Sequence, residues 1–505
     1  MLHISNFVDF DSIPEEHRAA VEACVVNCIM GAHRDQTQKL NMYIFNPHGN
    51  VPLGELCKAM ILTLLGQNVH SQLPLDPSSF KGNEIGHWAA PYIEKCRRIG
   101  VYKKDPETTH PNEDATPADM RDMISSASQF LIEEMNFPPL DQSKLQEIYK
   151  YGDSCGEFIT RSALAYVLFS FSALVAEKIY HFCVTDVPEY YRFSAVDAEP
   201  FIRLVYPEDE VVALMQLISR QHHVSSVGFD IILRLLRCKN SELEKHSCTC
   251  QTIDHYTSLH TLKCLTGKDA HLRLYNAAFL NDPLEGVFFH TSLKEFLDCR
   301  HQHLQSDRLA ELIDHTSKPT PFYPNSAYIV SFSNLKGEDD HNSLPMWFQY
   351  ADHCKGCAIK FHTYRFRCNV YNVAYGLDGL DSFFEGFFEI FNSIWDSSPA
   401  KYTEDAIISI AADILNLVSY LYKNESYEHE QESRIILFSP PQNAKKEDVP
   451  RDGELLPRTY LEVPFSIDSV TFGPDVKYPE RLAVAFASTG LTCPFRKSSI
   501  PFISK

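Results

Sequence analysis

Three charged residues alternate just ahead of an apolar run near the end of this chain, and this segment constrains the fold more than any other. Glu430, Glu432 and Arg434 lead directly into the apolar residues 435–438. Alternate residues of a strand point to the same face, so these side chains are predicted to project together. Burying two carboxylates and a guanidinium is costly, which favours a functional site. An ion pair that merely caps a buried strand is the alternative.

The composition of the chain limits its functional class. Its 505 residues allow two or three domains, and an apolar content of 44% supports sizeable cores. The net charge of -20 repels phosphate backbones, which disfavours broad nucleic-acid binding. A protein acceptor or partner is therefore predicted in preference to a nucleic acid.

Cysteine usage and the amino terminus predict a cytoplasmic protein. The 15 cysteines are irregularly spaced and odd in number, which is typical of reduced thiols. Residues 1–6 lack the basic and apolar regions of a signal peptide. The most apolar stretch, 163–176, is shorter than a bilayer requires, so we expect a buried helix and no membrane association.

The first third of the chain repeats a pattern of helix, loop and helix. A similar turn precedes a predicted helix at 52–55, at 116–119 and at 159–162. Such self-similarity indicates a module whose neighbouring units bury a shared core. Residues 1–176 resemble surface-layer homology repeats, and the resemblance implies an all-helical module of three units.

In that family, an Ile-Thr-Arg-Ala-Glu-like turn helps to hold an anionic cell-wall polymer. Only the third copy here keeps an arginine, Arg161, whereas the first copy has Glu55 and the second has Asp119. The loss of two cations from three weakens an anion site. A cell-wall polymer is therefore disfavoured, and a repurposed scaffold or partner-recognition module is predicted.

The rest of the chain divides into two predicted parts, a helical connector at 177–250 and a mixed α+β domain at 251–505. Strands are predicted at 252–256, 272–275, 328–332, 357–361, 370–373, 432–438 and 470–472. Helices are predicted at 259–265, 344–351, 383–394 and 404–422.

Several short motifs in this domain place polar or aromatic side chains at the ends of predicted elements. The candidates are His255, Tyr256, Thr257, Ser258, Asn281, Asp282, Ser331, Ser333, Trp347 and Tyr350. Each motif alone also has a structural explanation: a capped helix beside a satisfied histidine, an Asx-type turn, or an aromatic pair in a core.

The order of the motifs is more specific than any one of them. His-Tyr-Thr-Ser, Phe-Leu-Asn-Asp-Pro-x-Glu, Ser-x-Ser, Met-Trp-x-x-Tyr-Ala-Asp-x-x-x-Gly, Glu-x-Glu-x-Arg and Phe-Gly-Pro follow one another between about 251 and 480. This order resembles a bacterial family, domain of unknown function twenty-nine seventy-one. The chain departs from it at Cys357, in an insertion at about 383–422, and at Tyr427, where a tryptophan is common.

The layout of that family is similar to the ADP-ribosyltransferase fold, which implies a split mixed sheet and NAD as the substrate. The implied reaction transfers ADP-ribose to a macromolecule or hydrolyses NAD, as in a toxin or antiviral defence effector. Glu432 would favour an oxocarbenium-like transition state, and Glu430 would orient or deprotonate the acceptor. His255 would bond an adenosine-side ribose hydroxyl, and Tyr350 would stack on nicotinamide. Arg434 would pair with a phosphate or fix Glu432.

Two alternative interpretations of this domain remain, a non-catalytic binding protein and a zinc site. The same cleft is also compatible with a non-catalytic sensor that binds a nucleotide or a peptide. Cys354 and Cys357 have the spacing of zinc ligands, but the sequence offers no second pair to complete a site, so no metal is predicted.

Overall fold

Helices build the first part of the chain, and a mixed sheet organises the second. The computed structural model describes residues 7–34, 43–74, 87–104, 109–266, 270–280, 286–300, 307–317, 326–334, 344–366, 368–377, 379–439, 441–451 and 454–501. Two units result: unit 1 comprises Met1–Leu233 with Ser397–Ala406, and unit 2 comprises Arg234–Asp396 with Ile407–Lys505. The mixture of helices with a mixed sheet confirms the α+β class.

Helices dominate the first half of the chain. They are α1 (Arg18–Val26), α2 (Leu53–Leu65), α3 (Ala90–Arg98), α4 (Pro117–Glu133), α5 (Gln142–Asp153), α6 (Arg161–Cys183), α7 (Ala195–Val205), α8 (Glu208–Arg220) and α9 (Ser226–Lys245). The expectation of an all-helical module is wrong in one detail, because β1 (His33–Arg34) and β2 (Tyr43–Ile44) form a short antiparallel ladder. The ladder pairs the backbone groups of residues 33–34 with those of residues 43–44, which lie outside the helices.

Three segments that each precede a helix are joined in a closed ring of backbone hydrogen bonds. The amide of Val51 donates to the carbonyl of Ile159 at 2.9 Å, the amide of Ala115 to Val51 at 2.8 Å, and the amide of Ile159 to Ala115 at 3.0 Å. All three side chains are buried. The three turns with similar sequences therefore occupy equivalent positions, at the entrances to α2, α4 and α6.

The apolar helix α6 is longer than the sequence suggested. The stretch 163–176 lies within Arg161–Cys183, because the buried apolar residues Ile179 and Cys183 continue the packed face of the helix beyond Ala176. Among the described residues, this helix is long and apolar enough to cross a membrane by length and composition, with a mean hydropathy of 1.4, and 67% of the relevant window is buried inside the protein. The expected length was wrong, and the expected burial is confirmed.

Arg161 points inward rather than towards a ligand. Its Nε donates to the carbonyl of Phe45 at 2.8 Å, and its two Nη atoms donate to Glu55 and to the carbonyl of Gly31. The guanidinium also lies 4.9 Å from the ring centroid of Phe45. The arginine that the motif would offer to an anionic polymer is thus bound inside unit 1.

The second half of the chain alternates strands with helices. The strands are β3 (Thr252–Thr257), β4 (Leu272–Asn276), β5 (Ser326–Ser333), β6 (Cys357–His362), β7 (Tyr371–Asn372), β8 (Ala374–Tyr375), β9 (Tyr422–Lys423), β10 (Glu432–Ser439), β11 (Lys445–Arg451), β12 (Glu454–Val463), β13 (Ile467–Phe472) and β14 (Phe495–Lys497). The helices are α10 (Leu259–Cys264), α11 (Val287–Arg300), α12 (Asp307–Ser317), α13 (Leu344–Tyr350), α14 (Leu380–Ser397), α15 (Lys401–Ser419) and α16 (Pro479–Ser488).

The large sheet splits beside its central strand, β5. One edge of β5 pairs with β10 along its whole length. The other edge is shared, because β4 pairs with it at Tyr328 and Ile329 whereas β3 pairs with it at Ser333. The three residues between these contacts pair with neither strand among those that the structure describes. The sheet therefore opens between β3 and β4, and the order across it is β11-β12-β4-β5-β3-β6-β13-β14.

The insertion expected at 383–422 is an amphipathic helical pair. On α14, the phenylalanines at 383, 384, 387, 388 and 391 are all buried, which is the three- and four-residue spacing of one helix face. α15 follows and leads into β9, which pairs with β8 in a separate two-stranded sheet, and the insertion thereby brings Lys423 within hydrogen-bond distance of Glu432 on β10.

We predict that Arg161→Gln destabilises unit 1 by about 3 kcal/mol, because it leaves the half-buried carboxylate of Glu55 without its cation. Arg121→Gln is the matched control, since Arg121 pairs with Asp153 at the surface and each side chain is 44% exposed. Its expected cost is below about 1 kcal/mol. Urea denaturation of both variants, followed by circular dichroism, measures the difference. Equal effects of the two substitutions would contradict a structural role for Arg161.

Candidate functional site

The strand that carries Glu432 and Arg434 begins at Glu432, as predicted, and leaves Glu430 outside it. Glu430 ends a short 3-10 turn, and Gln431 adopts a left-handed backbone with φ of 40° before β10 starts. The expectation that all three charged residues lie on one strand is therefore wrong for Glu430. Its carboxylate nevertheless meets that of Glu432, because both lie within hydrogen-bond distance of Lys423.

Arg434 holds the carboxylate of Glu432 with two parallel hydrogen bonds. Its Nε donates to Oε1 at 2.6 Å and its Nη2 to Oε2 at 2.8 Å, and Nη1 donates to the carbonyl of Tyr420 at 2.8 Å. Arg434 is 1% exposed and Glu432 is 6% exposed. Arg434 was expected either to pair with a phosphate or to fix Glu432. Its contacts match the second role.

A buried lysine completes the charge balance of the site. Lys423 Nζ lies 2.8 Å from Glu430 Oε2 and 3.2 Å from Glu432 Oε2. Burial alone would raise the pKa of Glu432, but the charge of Arg434, its hydrogen bonds and the charge of Lys423 outweigh it and lower the pKa to about 2. Glu432 is therefore a fixed anion at neutral pH and a very weak base.

Tyr350 and Ser333 fix Glu430 from two sides. The Tyr350 hydroxyl donates to Glu430 Oε1 at 2.6 Å, and the Ser333 hydroxyl donates to the Glu430 carbonyl oxygen at 2.9 Å. Because Lys423 occupies Oε2, both carboxylate oxygens of Glu430 accept a hydrogen bond. The amide of Glu432 donates to the hydroxyl of Tyr375 at 2.8 Å, which fixes the backbone that follows.

His255 lies in the gap where the sheet splits. Its Nδ1 is 2.9 Å from the carbonyl oxygen of Ser331, which can only accept, so Nδ1 carries the proton. Burial lowers the pKa of His255, although the bond to Ser331 opposes this shift. The ring is therefore neutral at pH 7, and Nε2 has a lone pair to accept a hydrogen bond from a ligand.

One cavity of about 630 Å³ joins most of the predicted residues. Eight of the sequence candidates line it: His255, Tyr256, Ser331, Ser333, Tyr350, Glu430, Glu432 and Arg434. They come from β3, β5, α13, β10 and the 3-10 turn before β10, and most of these elements are distant in sequence. A volume of this size is typical of a small-molecule site.

Other candidates lie elsewhere. Trp347 is fully buried in a small core, with its ring 5.0 Å from that of Tyr256, so it is core rather than cavity wall. The hydroxyl of Ser258 caps α10 by accepting from the amide of Thr261, and Thr257 is buried at the end of β3. Asn281 and Asp282 lie outside the described residues.

The turn after α13 has an uncommon backbone. Asp352, His353 and Cys354 have φ values of 48°, 49° and 73°, so three successive side chains adopt the left-handed conformation. Gly356 follows, where a Cβ atom would come within 2.1 Å of the carbonyl oxygen of Thr257. Through this turn the end of α13, which carries Tyr350, lies close to β3.

The same turn contains the cysteine pair with zinc-like spacing. Cys354 and Cys357 are both buried, and burial raises the pKa of each thiol, that of Cys357 to about 12. Within the described ranges, no three His, Cys, Asp or Glu side chains are grouped so that they could hold a metal.

Sequence reasoning missed Lys423 and the residues that support it. The neighbouring Tyr422 faces the other way, and its hydroxyl donates to Glu242, which is 2% exposed. His246 Nδ1 lies 2.8 Å from the carbonyl oxygen of Asn372 and its ring packs edge-on against Tyr422. The available signal was a lysine directly after an apolar helix, seven residues before Glu430.

We predict that Glu432→Gln lowers the stability of unit 2 by about 3 kcal/mol at pH 7, because Arg434 loses its anion. The pKa of Glu432 is depressed in the folded state, so its contribution is complete above pH 4.5 and disappears as the pH falls towards 2. The wild type should therefore lose more stability between pH 5 and pH 3 than the variant does.

Urea titrations in a Trp88→Phe background measure this loss, because Trp347 and Trp395 then report on unit 2. Glu425→Gln, an exposed carboxylate in the preceding turn, is the control. Parallel pH profiles of the wild type and Glu432→Gln would contradict the depressed pKa.

No protein-family model, curated protein or solved structure matches this chain in the comparisons made. The resemblances drawn from the sequence motifs therefore stay predictions.

Proposed function

We propose that unit 2 binds NAD in the cavity and breaks the bond between nicotinamide and ribose. ADP-ribose would pass to a macromolecule or to water. The observation that carries this proposal is a carboxylate, Glu432, held ionised in the wall of a cavity that His255 and Tyr350 also line. The opening of the sheet between β3 and β4 also fits the split sheet that the resemblance implies.

The proposed reaction needs stabilisation of positive charge. When the C1′–N bond breaks, its electron pair leaves with the nicotinamide nitrogen and cationic character develops on the ribose. A carboxylate that is fixed before the reaction stabilises this charge strongly in a site that excludes water. The acceptor then forms a bond to C1′ and releases its proton to bulk water. Glu432 suits this role because its low pKa keeps it ionised.

His255 and Tyr350 would position the substrate. The neutral ring of His255 leaves Nε2 to accept a hydrogen bond from a ribose hydroxyl. The ring of Tyr350 is partly exposed at the cavity, and its hydroxyl is anchored on Glu430. An anchored aromatic face is suited to stacking on nicotinamide.

Glu430 would orient the acceptor rather than remove its proton. Both carboxylate oxygens already accept a hydrogen bond, from Tyr350 and from Lys423. Each oxygen keeps a further lone pair, so Glu430 is able to accept one more hydrogen bond from an acceptor hydroxyl or a water molecule.

A second candidate function is a nucleotide sensor without catalysis. One observation favours it: Lys423 and Arg434 balance the charges of Glu430 and Glu432 completely, which weakens the field that would stabilise a cation. In this role the cavity would bind the dinucleotide without breaking it.

We predict that the purified wild type releases nicotinamide from NAD and that Glu432→Gln lowers the rate by 10²–10³-fold, roughly the loss seen when one charge-stabilising group is removed. Glu430→Gln should lower the rate less, because it leaves Glu432 and Arg434 in place. Glu425→Gln is the matched control, since it makes the same chemical change at an exposed position outside the cavity lining.

Chromatographic detection of nicotinamide measures these rates, and circular dichroism confirms that each variant is folded. Release that persists in both Glu430→Gln and Glu432→Gln would overturn the assigned roles. Calorimetric binding of NAD without any release would favour the sensor.

A further inference from the structure

The cavity has a second end, away from Glu432, which the proposed chemistry does not use. β4 and the β11–β12 hairpin form it. Six residues with polar or charged side chains line this end: His271, Arg273, Tyr275, Glu447, Arg458 and Glu462. The ligand that fills the whole cavity must therefore carry a polar group far from its labile bond.

One arginine at this end, Arg458, forms no ion pair among the described residues, although Glu447 lies opposite it in the β11–β12 ladder. Arg273 pairs with Glu447, which also accepts a hydrogen bond from the Tyr275 hydroxyl at 2.8 Å. Glu462 pairs with Lys445. Within the part of the chain that the structure describes, no carboxylate lies within ion-pair distance of Arg458.

The surroundings of Arg458 hold it in place without neutralising it. Its guanidinium lies 5.9 Å from the ring centroid of Tyr275, and the side chain is only partly exposed. An arginine ordered against an aromatic ring keeps its hydrogen-bond donors available and loses little entropy when it binds an anion. Phosphate groups match the geometry of these donors.

The strand register sets the distance between the two ends. Glu432 lies opposite Ser333 on β5, and Tyr275 lies opposite Ile329 on the same strand. Four residues of a strand span about 13 Å. The glycosidic carbon of a nucleotide is separated from its own phosphorus by five bonds, which reach about 7 Å at most. Arg458 is therefore too far from Glu432 to meet the diphosphate beside the labile ribose. It lies near the adenosine end of a bound dinucleotide.

We infer that this end binds a phosphate on the adenosine ribose, so that the site favours NADP, the 2′-phosphorylated dinucleotide, over NAD. Arginine is the residue type that accommodates this phosphate in other dinucleotide sites. The inference rests on the proposed function for the identity of the dinucleotide. Arg458 supplies the charge, and Tyr275 holds its side chain.

The test compares kcat/KM for NADP and NAD in the wild type and in Arg458→Gln. We predict that the wild type favours NADP by about 10-fold, the worth of one charged hydrogen bond. Arg458→Gln should lower kcat/KM for NADP about 10-fold more than that for NAD, and so remove this preference. Arg496→Gln, an exposed arginine on β14 of the same unit, makes the same charge change away from the cavity and should alter neither value.

Equal kcat/KM for the two dinucleotides in the wild type would overturn the inference and leave the proposed function intact. An equal loss for both in Arg458→Gln would place Arg458 on the diphosphate and also overturn it. If the wild type cleaves neither, the proposed function fails, and calorimetry decides the inference separately. Tighter binding of NADP than of NAD, lost in Arg458→Gln, supports it, whereas equal binding or none overturns it.

Discussion

The bidentate bond between Arg434 and Glu432 is the interaction on which the site depends. A guanidinium that is 1% exposed cannot remain in the sheet without a carboxylate, and the carboxylate cannot remain ionised there without a cation. The pair therefore fixes where β10 begins and how it meets β5. Lys423 adds a second cation, which allows Glu430 to be buried beside Glu432 as well. A structural ion pair and the carboxylate proposed to act in catalysis thus share the same atoms, so stability and the proposed chemistry are coupled in this segment.

The split of the sheet turns this pair into part of a cavity. If either β3 or β4 paired along all of this edge of β5, the carbonyl of Ser331 would bond to that strand. Instead it accepts a hydrogen bond from His255, whose ring enters the gap. The missing ladder bonds are therefore replaced by a side chain that also faces the cavity. The same residue thus satisfies the backbone and is placed for the proposed recognition of a ligand.

The sequence predicted many of the elements and eight of the residues that line the cavity, because both follow local rules. Alternation placed Ser331, Ser333, Glu432 and Arg434 on strands, and their order along the chain suggested a shared site. The exact path at Gln431 could not be predicted, since a left-handed residue without glycine has no local signature. Lys423 was missed because its role depends on Glu430 and Glu432 approaching it in space. Trp347 was misplaced, since an aromatic pair on a short helix leaves open which ring faces the core.

The ring of amides at Val51, Ala115 and Ile159 constrains how unit 1 can change. Each segment donates to one neighbour and accepts from the other, so the ring closes on itself. An open solenoid can gain or lose a copy at its end, because only one interface is affected. A closed ring of three has no end. Deletion of one segment would leave a buried donor and a buried acceptor on the other two without partners, and a fourth segment would find every ring hydrogen bond already formed. Variation in this module is therefore confined to the loops and to the outward faces of its helices.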